Sequence, residues 1–180
     1  MIFIITLSIL FTDQLTKLLA AQNLLLNQSV PLIKGIFHLT LIHNRGAAFG
    51  ILKNQTLLFI FISIFAVILI YLVLLNNGVP LGLKPGVPSG TESRPAFIRP
   101  AKGGAVLWRR DKYKKYHFYN ISLVLILAGA LGNLIDRLRL GYVIDFLDFR
   151  IWPVFNVADS AITIGAILLG WSILIKNRQV

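Results

Sequence analysis

The chain contains no cysteine and only three histidines among its 180 residues. The lack of cysteine excludes disulfide bonds, thiolate catalysis and cysteine-bound metal sites. His38 and His43 lie in a segment with strand-like alternation, and His117 follows a basic run. The number and spacing of these histidines do not favour a zinc site. We therefore expect no metal and no other cofactor.

Acidic residues are also scarce, with seven Asp and Glu against 18 Lys and Arg. Four of the seven, Asp136, Asp145, Asp148 and Asp159, fall where one long apolar run ends and the next begins. Ionisable groups at membrane depth are costly and therefore mark function by default. Two carboxylates in a partly dry site can share a proton and activate water. This acidic group is the candidate site.

The composition is that of a membrane protein, because 56% of the residues are hydrophobic and the mean hydropathy is +0.75. Four runs approach the roughly 20 residues that cross a bilayer. These are residues 2–21, 56–75, 118–135 and 154–175. The first lacks the basic start of a cleaved signal peptide, so we expect it to be a retained span. The predicted fold is an all-α membrane protein with four transmembrane helices.

Basic residues set the predicted orientation. Nine of the 18 lie in the connection 76–117, which the positive-inside rule places in the cytoplasm with both termini. We expect this charge to attract anionic lipid, and we expect no nucleic-acid partner. Residues 77–104, rich in Gly and Pro, predict an irregular cytoplasmic linker within a single integral membrane domain. Residues 105–117 are typical of an interfacial segment.

The segments 22–55 and 136–153 then face outward. Strand-like alternation around residues 36–42, followed by Asn44, Arg45 and Gly46, predicts a small extracytoplasmic β-clasp. Gly46 permits unusual backbone dihedrals or a close approach. A plain turn is the simpler interpretation of this segment taken alone.

The polar residues within the spans have structural as well as functional interpretations. Asp13 and Lys17 are four residues apart on one helical face, where they could neutralise each other or hold polar loops near a site. Asn133, Asp136 and Arg137 form a polar cluster at the end of the third run, and we favour structural support for the last two.

The remaining carboxylates have two interpretations each. Asp145 lies between apolar neighbours, and partial burial should raise its pKa. Asp148 could serve the same role on sequence grounds alone. Asp159 falls in the first turn of the fourth run, where a capping role is equally well supported. Asn156, three residues earlier, could donate a hydrogen bond to a catalytic carboxylate.

Taken together, these segments resemble the lipoprotein signal peptidase family, also called signal peptidase II. The matching pieces lie at residues 13–17 (DQLTK), 44–49 (NRGAAF), 132–137 (GNLIDR), 143–146 (VIDF) and 155–159 (FNVAD). They occur in the family's order and spacing across four spans. The connection 76–117 is longer than the family's usual cytoplasmic loop.

The resemblance implies a bacterial inner-membrane aspartyl endopeptidase that removes the signal peptide from diacylglyceryl-modified prolipoproteins. It implies a catalytic pair on Asp145 and Asp159. The residues that it implies as substrate-binding or site-supporting groups, with Gly46 added for its backbone, are Asp13, Lys17, Asn44, Gly46, Asn133, Asp136, Arg137 and Asn156.

Two rival classes fit the sequence less well. A presenilin-like intramembrane protease needs a Gly-x-Gly-Asp motif inside a span, which the sequence lacks. The second class is a non-enzymatic transporter or assembly factor, in which a proton path would need acidic residues deep in several spans. The expected partners are the diacylated prolipoprotein substrate and the lipid bilayer. The sequence does not set an oligomeric state, and a monomer is the working expectation.

Overall fold

The computed structural model describes residues 2–46, 55–76 and 104–177. Its elements, in chain order, are α1 (Ile2–Asn23), β1 (Ser29–Ile33), β2 (Phe37–Asn44), α2 (Thr56–Asn76), α3 (Gly104–Leu140), β3 (Val143–Asp148) and α4 (Val157–Asn177). All four of these helices are long and apolar enough to cross a membrane. The predicted set of four apolar helices is therefore confirmed.

Helix α3 is longer than the apolar run that predicted it. It has 37 residues and continues to Leu140, with Arg137 and Arg139 in a last turn whose dipole favours cations. Gly141 then ends the helix with a φ of 78°, a left-handed conformation that glycine adopts at no steric cost. Gly104, assigned to the predicted linker, is the first residue of α3, and the rest of that linker, 77–103, lies outside the described residues.

Helix α3 is the centre of the bundle and contacts the other three helices. Its approach to α4 is close because glycines face the contact. A Cβ on Gly165 would lie 2.7 Å from the carbonyl oxygen of Ser122, so any larger residue there would push the helices apart. On its other side, α3 packs Val124 and Leu127 against Leu74 of α2.

The three strands form one antiparallel sheet in the order β1-β2-β3. The predicted sheet in segment 28–54 is present as β1 and β2, and the sequence analysis did not assign β3. In the β2–β3 register, Ile42 lies opposite Asp145 and Asn44 lies opposite Val143. Pairing over this distance in sequence brings the candidate carboxylate of β3 beside the end of β2.

The sheet is anchored to the bundle through its apolar side chains. Leu41, Ile144 and Phe146 are buried with Ala20, near the end of α1. Burial of a large aliphatic or aromatic side chain contributes about 1.5–3 kcal/mol, so this small cluster fixes the sheet against the helix ends. The strand that carries Asp145 is thereby held rigidly above α1 and α3.

Candidate active site

Asp145 is held by two neutral amides. Its side chain is buried, and Asn44 Nδ2 donates to its Oδ2 at 2.9 Å, while Asn156 Nδ2 donates to its Oδ1 at 2.7 Å. The amide of Asn44 is itself oriented, because the backbone N–H of Gly46 donates to Asn44 Oδ1 at 2.9 Å. The predicted role of Asn156 as a donor to a candidate catalytic carboxylate matches this geometry.

Asp159 is placed by the first turn of α4. Its backbone N–H donates to Asn156 Oδ1 at 2.9 Å, and the backbone N–H of Asn156 reaches Asp159 Oδ2 at 3.4 Å. This reciprocal pair is a capping box, in which each side chain satisfies a backbone donor that the helix leaves unpaired. The capping interpretation of Asp159 therefore holds, and the same cap links Asp159 to the residue that holds Asp145.

Asn133 of α3 contacts Asp159 directly and is linked to Asp145 through Asn156. Its Nδ2 donates to Asp159 Oδ1 at 2.7 Å. Its Oδ1 accepts from Asn156 Nδ2 at 3.1 Å and from Lys17 Nζ at 3.0 Å. The orientation of this amide is therefore determined at both ends, which fixes the position of the Asp159 carboxylate.

The predicted pair of Asp13 and Lys17 forms, and it includes a third charge. Lys17 Nζ lies 2.8 Å from Asp13 Oδ2 and 2.9 Å from Asp136 Oδ2. The Lys17 side chain is only 2% exposed, and a buried ammonium is tolerable only when it is paired and hydrogen-bonded. The structural support expected of Asp136 is consistent with this contact.

Each of these two buried carboxylates also holds a backbone amide next to a candidate catalytic residue. Asp13 Oδ1 accepts from the N–H of Ala158 at 2.8 Å, and Asp136 Oδ2 accepts from the N–H of Ile144 at 3.2 Å. The close packing of Asp13 requires Gly132, where a Cβ would lie 2.7 Å from Asp13 Oδ2.

Arg137 lies at the edge of this network and is half-buried. Its guanidinium carbon is 5.2 Å from the centroid of the Phe59 ring on α2, a cation–π distance. The contact holds the cation beside the acidic group formed by Asp136, Asp145 and Asp159.

The electrostatics of Asp145 differ from those of an ordinary surface carboxylate. Burial, and then the nearby charge of Asp159, raise the pKa of Asp145 to about 7, against the opposing hydrogen bonds of Asn44 and Asn156. The increase expected from its apolar neighbours is confirmed. A carboxyl with such a pKa can hold or release a proton near neutral pH, which is the requirement for acid–base chemistry.

Asp148, the alternative candidate on the same strand, has different partners. Thr40 Oγ1 donates to its Oδ2 at 2.7 Å, and Arg150 donates from its backbone N at 2.8 Å and from its guanidinium at 3.1 Å. Burial opposes ionisation, but these hydrogen bonds and the Arg150 charge outweigh it, so the pKa of Asp148 is lowered. The sequence analysis did not single out Thr40, Arg150 or the more central Gln14. Thr40 contacts Asp148, and Gln14 contacts Gly132 and Asp136, all more than 100 residues away along the chain.

The histidines take part in other contacts. His43 stacks on Tyr142 with ring centroids 4.0 Å apart, and His38 Nδ1 lies 3.0 Å from Ser29 Oγ. Among the side chains that the structure describes, no group of three or more His, Asp or Glu residues could hold a metal ion.

Comparison with known proteins shows the family of the chain. Residues 5–84 and 73–175 match the family described as Signal peptidase (SPase) II. The chain is 42% identical to the lipoprotein signal peptidase of Caldanaerobacter subterraneus subsp. tengcongensis, covering 98% of both chains. It is 40% identical to that of Halothermothrix orenii, covering 94% of this chain and 92% of the relative. A solved bacterial membrane enzyme superimposes with a TM-score of 0.71 at 29% identity, covering 98% of this chain and 88% of that one.

Proposed function

The chain belongs to the signal peptidase II family, and from this premise we propose that Asp145 and Asp159 are its catalytic pair. The protein is an aspartic endopeptidase of lipoprotein processing and a multi-pass cell-membrane protein. Its proposed substrates are prolipoproteins that already carry a diacylglyceryl group.

One observation carries the assignment of the pair. Asn156 donates to Asp145 Oδ1 at 2.7 Å and caps the turn that carries Asp159, so a single side chain ties the two carboxylates together. The groups that touch Asp145 are neutral amides, so no cation holds it permanently ionised. Two carboxylates brought together in this way favour a state in which the pair holds one proton.

The proposed reaction uses that proton and one water. The ionised carboxylate takes a proton from the water as its oxygen attacks the scissile carbonyl carbon, and the protonated carboxylate donates a hydrogen bond to the carbonyl oxygen. When the tetrahedral intermediate collapses, the C–N bond breaks and a proton passes to the leaving nitrogen. The pKa of about 7 at Asp145 allows the pair to retain its proton at neutral pH.

The remaining polar residues are proposed to support the pair or to bind substrate. The positions of the two carboxylates are proposed to be fixed by four buried residues of the network: Lys17, Asn133, Asp13 and Asp136. Within the described residues, the Arg137 guanidinium contacts the Phe59 ring and no carboxylate oxygen, so we assign its N–H donors to a carbonyl of the bound peptide.

The site is proposed to lie at the outer leaflet, with both termini in the cytoplasm, because half of all basic residues are in the connection 76–117. The sheet would form the clasp that covers the peptide while the acyl chains of the substrate stay in the bilayer. Leu25, Ile36 and Ile151 are 76%, 61% and 94% exposed on the loops around the sheet, which suits contact with the membrane interface.

Cleavage is tested with purified enzyme and a diacylglyceryl-modified prolipoprotein, followed by the change in mobility when the signal peptide is removed. The matched control is the same precursor without the diacylglyceryl group. Equal cleavage of both precursors would contradict the proposed substrate class. Cleavage that disappears with a chelator and returns with zinc would contradict a metal-free mechanism.

Orientation is tested with single cysteines, which the cysteine-free chain makes straightforward. A membrane-impermeant maleimide should label Lys34→Cys, between β1 and β2, in spheroplasts, and Ser89→Cys only after the membrane is permeabilised. The opposite pattern would overturn the orientation. Since we propose that the connection 77–104 takes no part in catalysis, deletion of residues 80–103 should leave cleavage intact.

A further inference from the structure

Gln14 lies beside the two buried carboxylates of the support network, and nothing in the catalytic mechanism uses it. It is half-buried on α1. Its Nε2 lies 3.2 Å from Asp13 Oδ2, 3.0 Å from Asp136 Oδ1 and 3.3 Å from the carbonyl oxygen of Gly132. A single amide nitrogen therefore bridges α1 and α3 at the point where the two helices bring their carboxylates together.

The two carboxylates that Gln14 joins have parallel roles. Asp13 accepts the backbone N–H of Ala158, the residue before Asp159. Asp136 accepts the backbone N–H of Ile144, the residue before Asp145. Any change in the separation of Asp13 and Asp136 therefore moves one catalytic aspartate relative to the other.

Lys17 also bridges Asp13 and Asp136, but it does so as a point charge with one remaining contact to Asn133. An ammonium attracts two carboxylates without fixing their relative rotation, whereas an amide adds directional donors. Gln14 donates to Asp136 Oδ1 and Lys17 pairs with Asp136 Oδ2, so the two residues together fix the plane of the Asp136 carboxylate.

We propose that Gln14 is a positioning residue that sets the separation of the catalytic aspartates by tying Asp13 to Asp136. This inference rests on the proposed catalytic pair. Gln14 contacts the support network and neither carboxylate of the proposed pair, so we expect its loss to change the rate of the chemical step and not substrate binding. A misplacement of about 1 Å between reacting groups can cost on the order of 100-fold in rate.

The test compares Gln14→Met, which keeps the length of the side chain and removes its donors, with Gln22→Met, the same change at an exposed glutamine of α1. Gln14→Met should lower kcat by about 10- to 100-fold with KM within about threefold of the wild-type value. Gln22→Met should leave both unchanged. Wild-type kcat in a folded Gln14→Met enzyme would overturn the proposal, as would a rise in KM with unchanged kcat.

A second variant separates positioning from packing. Gln14→Glu keeps shape but places a third carboxylate beside Asp13, Asp136 and Lys17. Asp159 and Asp145 lie further on and are linked to Lys17 through the amides of Asn133 and Asn156. At neutral pH its kcat should fall below that of Gln14→Met. Relative to wild type, its kcat should recover as the pH is lowered, because the protonated carboxyl donates again. A loss that does not depend on pH would contradict a hydrogen-bonding role.

Failure of the positioning role of Gln14 can be distinguished from failure of the proposed catalytic pair. If Asp145→Asn and Asp159→Asn abolish cleavage while Gln14→Met does not change kcat, the catalytic pair stands and the positioning role is wrong. If either aspartate variant cleaves normally, the pair itself is wrong, and the inference about Gln14 falls with it.

Discussion

Two aspartates three residues apart on β3 have opposite properties. Asp145 and Asp148 are both buried, with 1% and 4% of their surfaces exposed. The pKa of Asp145 is raised to about 7 by burial and the charge of Asp159. The pKa of Asp148 is lowered, because its hydrogen bonds and Arg150 outweigh its burial. Burial alone therefore does not determine whether a carboxylate on this strand keeps a proton.

Asp145 lies deeper in the protein than Asp148, and the two also differ in the kind of partner. Asp145 accepts from two amides, which orient it without adding charge, and it faces a like charge. Asp148 accepts from a hydroxyl and a guanidinium, which hold it ionised and join β2 to the turn after β3. One carboxylate is available for proton transfer, and the other fixes the sheet.

The largest expected effect comes from removing the titratable group itself. Asp145→Asn and Asp159→Asn should each lower kcat by at least about 10³-fold, because neither variant can carry the proton or act as the base. Asp148→Asn, the same change three residues away, should keep kcat within about threefold. Rates of prolipoprotein cleavage by purified, folded variants provide the measurement. Comparable losses at Asp145 and Asp148 would abolish the distinction between them.

A smaller effect is expected from changing the partner of Asp145. Below its pKa Asp145 is neutral, and as the pH rises through about 7 it ionises beside Asp159, so wild-type activity should fall on the alkaline side. The Asn44 hydrogen bond lowers the pKa of Asp145. Asn44→Ala should therefore shift the alkaline limb to higher pH and reduce kcat by about tenfold.

Adding a positive charge at position 44 should have the opposite effect on the pH dependence. Asn44→Lys would give Asp145 a cationic partner of the kind that Asp148 has, so the alkaline limb should shift to lower pH. The pH dependence of kcat for the two variants provides the measurement. A shift of both variants in the same direction would show that Asp145 does not set this limb.

The smallest effect on activity is expected at the hydroxyl that holds Asp148. Thr40→Val keeps the shape of the side chain but removes its donor, which should cost about 1–3 kcal/mol of stability because a buried carboxylate loses a partner. The matched control is Thr16→Val, whose hydroxyl bonds only to the backbone of its own helix. Thermal unfolding in detergent provides the measurement, and an unchanged midpoint for Thr40→Val would contradict the role given to Asp148.

The sequence predicted those parts of the fold that rest on local patterns. Four apolar runs gave the spans, and the spacing of Asp13 and Lys17 gave their ion pair. The start of α3 was missed, because residues 104–117 lack the apolar run by which a span is recognised. Strand β3 was also missed, since its partner β2 is about 100 residues away and a six-residue strand with two acids gives a weak signal.

The sequence predicted which residues lie in the candidate site but not the contacts between them. The resemblance to a known family pointed to Asp145 and Asp159 as the catalytic pair, whereas the residues alone left Asp136 and Asp148 as alternatives. The contacts that separate these carboxylates, such as Asn44 to Asp145 and Thr40 to Asp148, join residues 101 and 108 positions apart. No local pattern specifies such contacts, because they depend on the register of the sheet.

The support network begins at Asp13 in α1 and ends at Asp159 in α4, with Asn44 and Asn133 between them. During synthesis the ribosome delivers these elements in order, so the proposed catalytic pair cannot assemble until the last helix has entered the membrane. A nascent chain stalled before α4 would be inert towards neighbouring precursors. Proteolytic competence is thereby coupled to completion of membrane insertion.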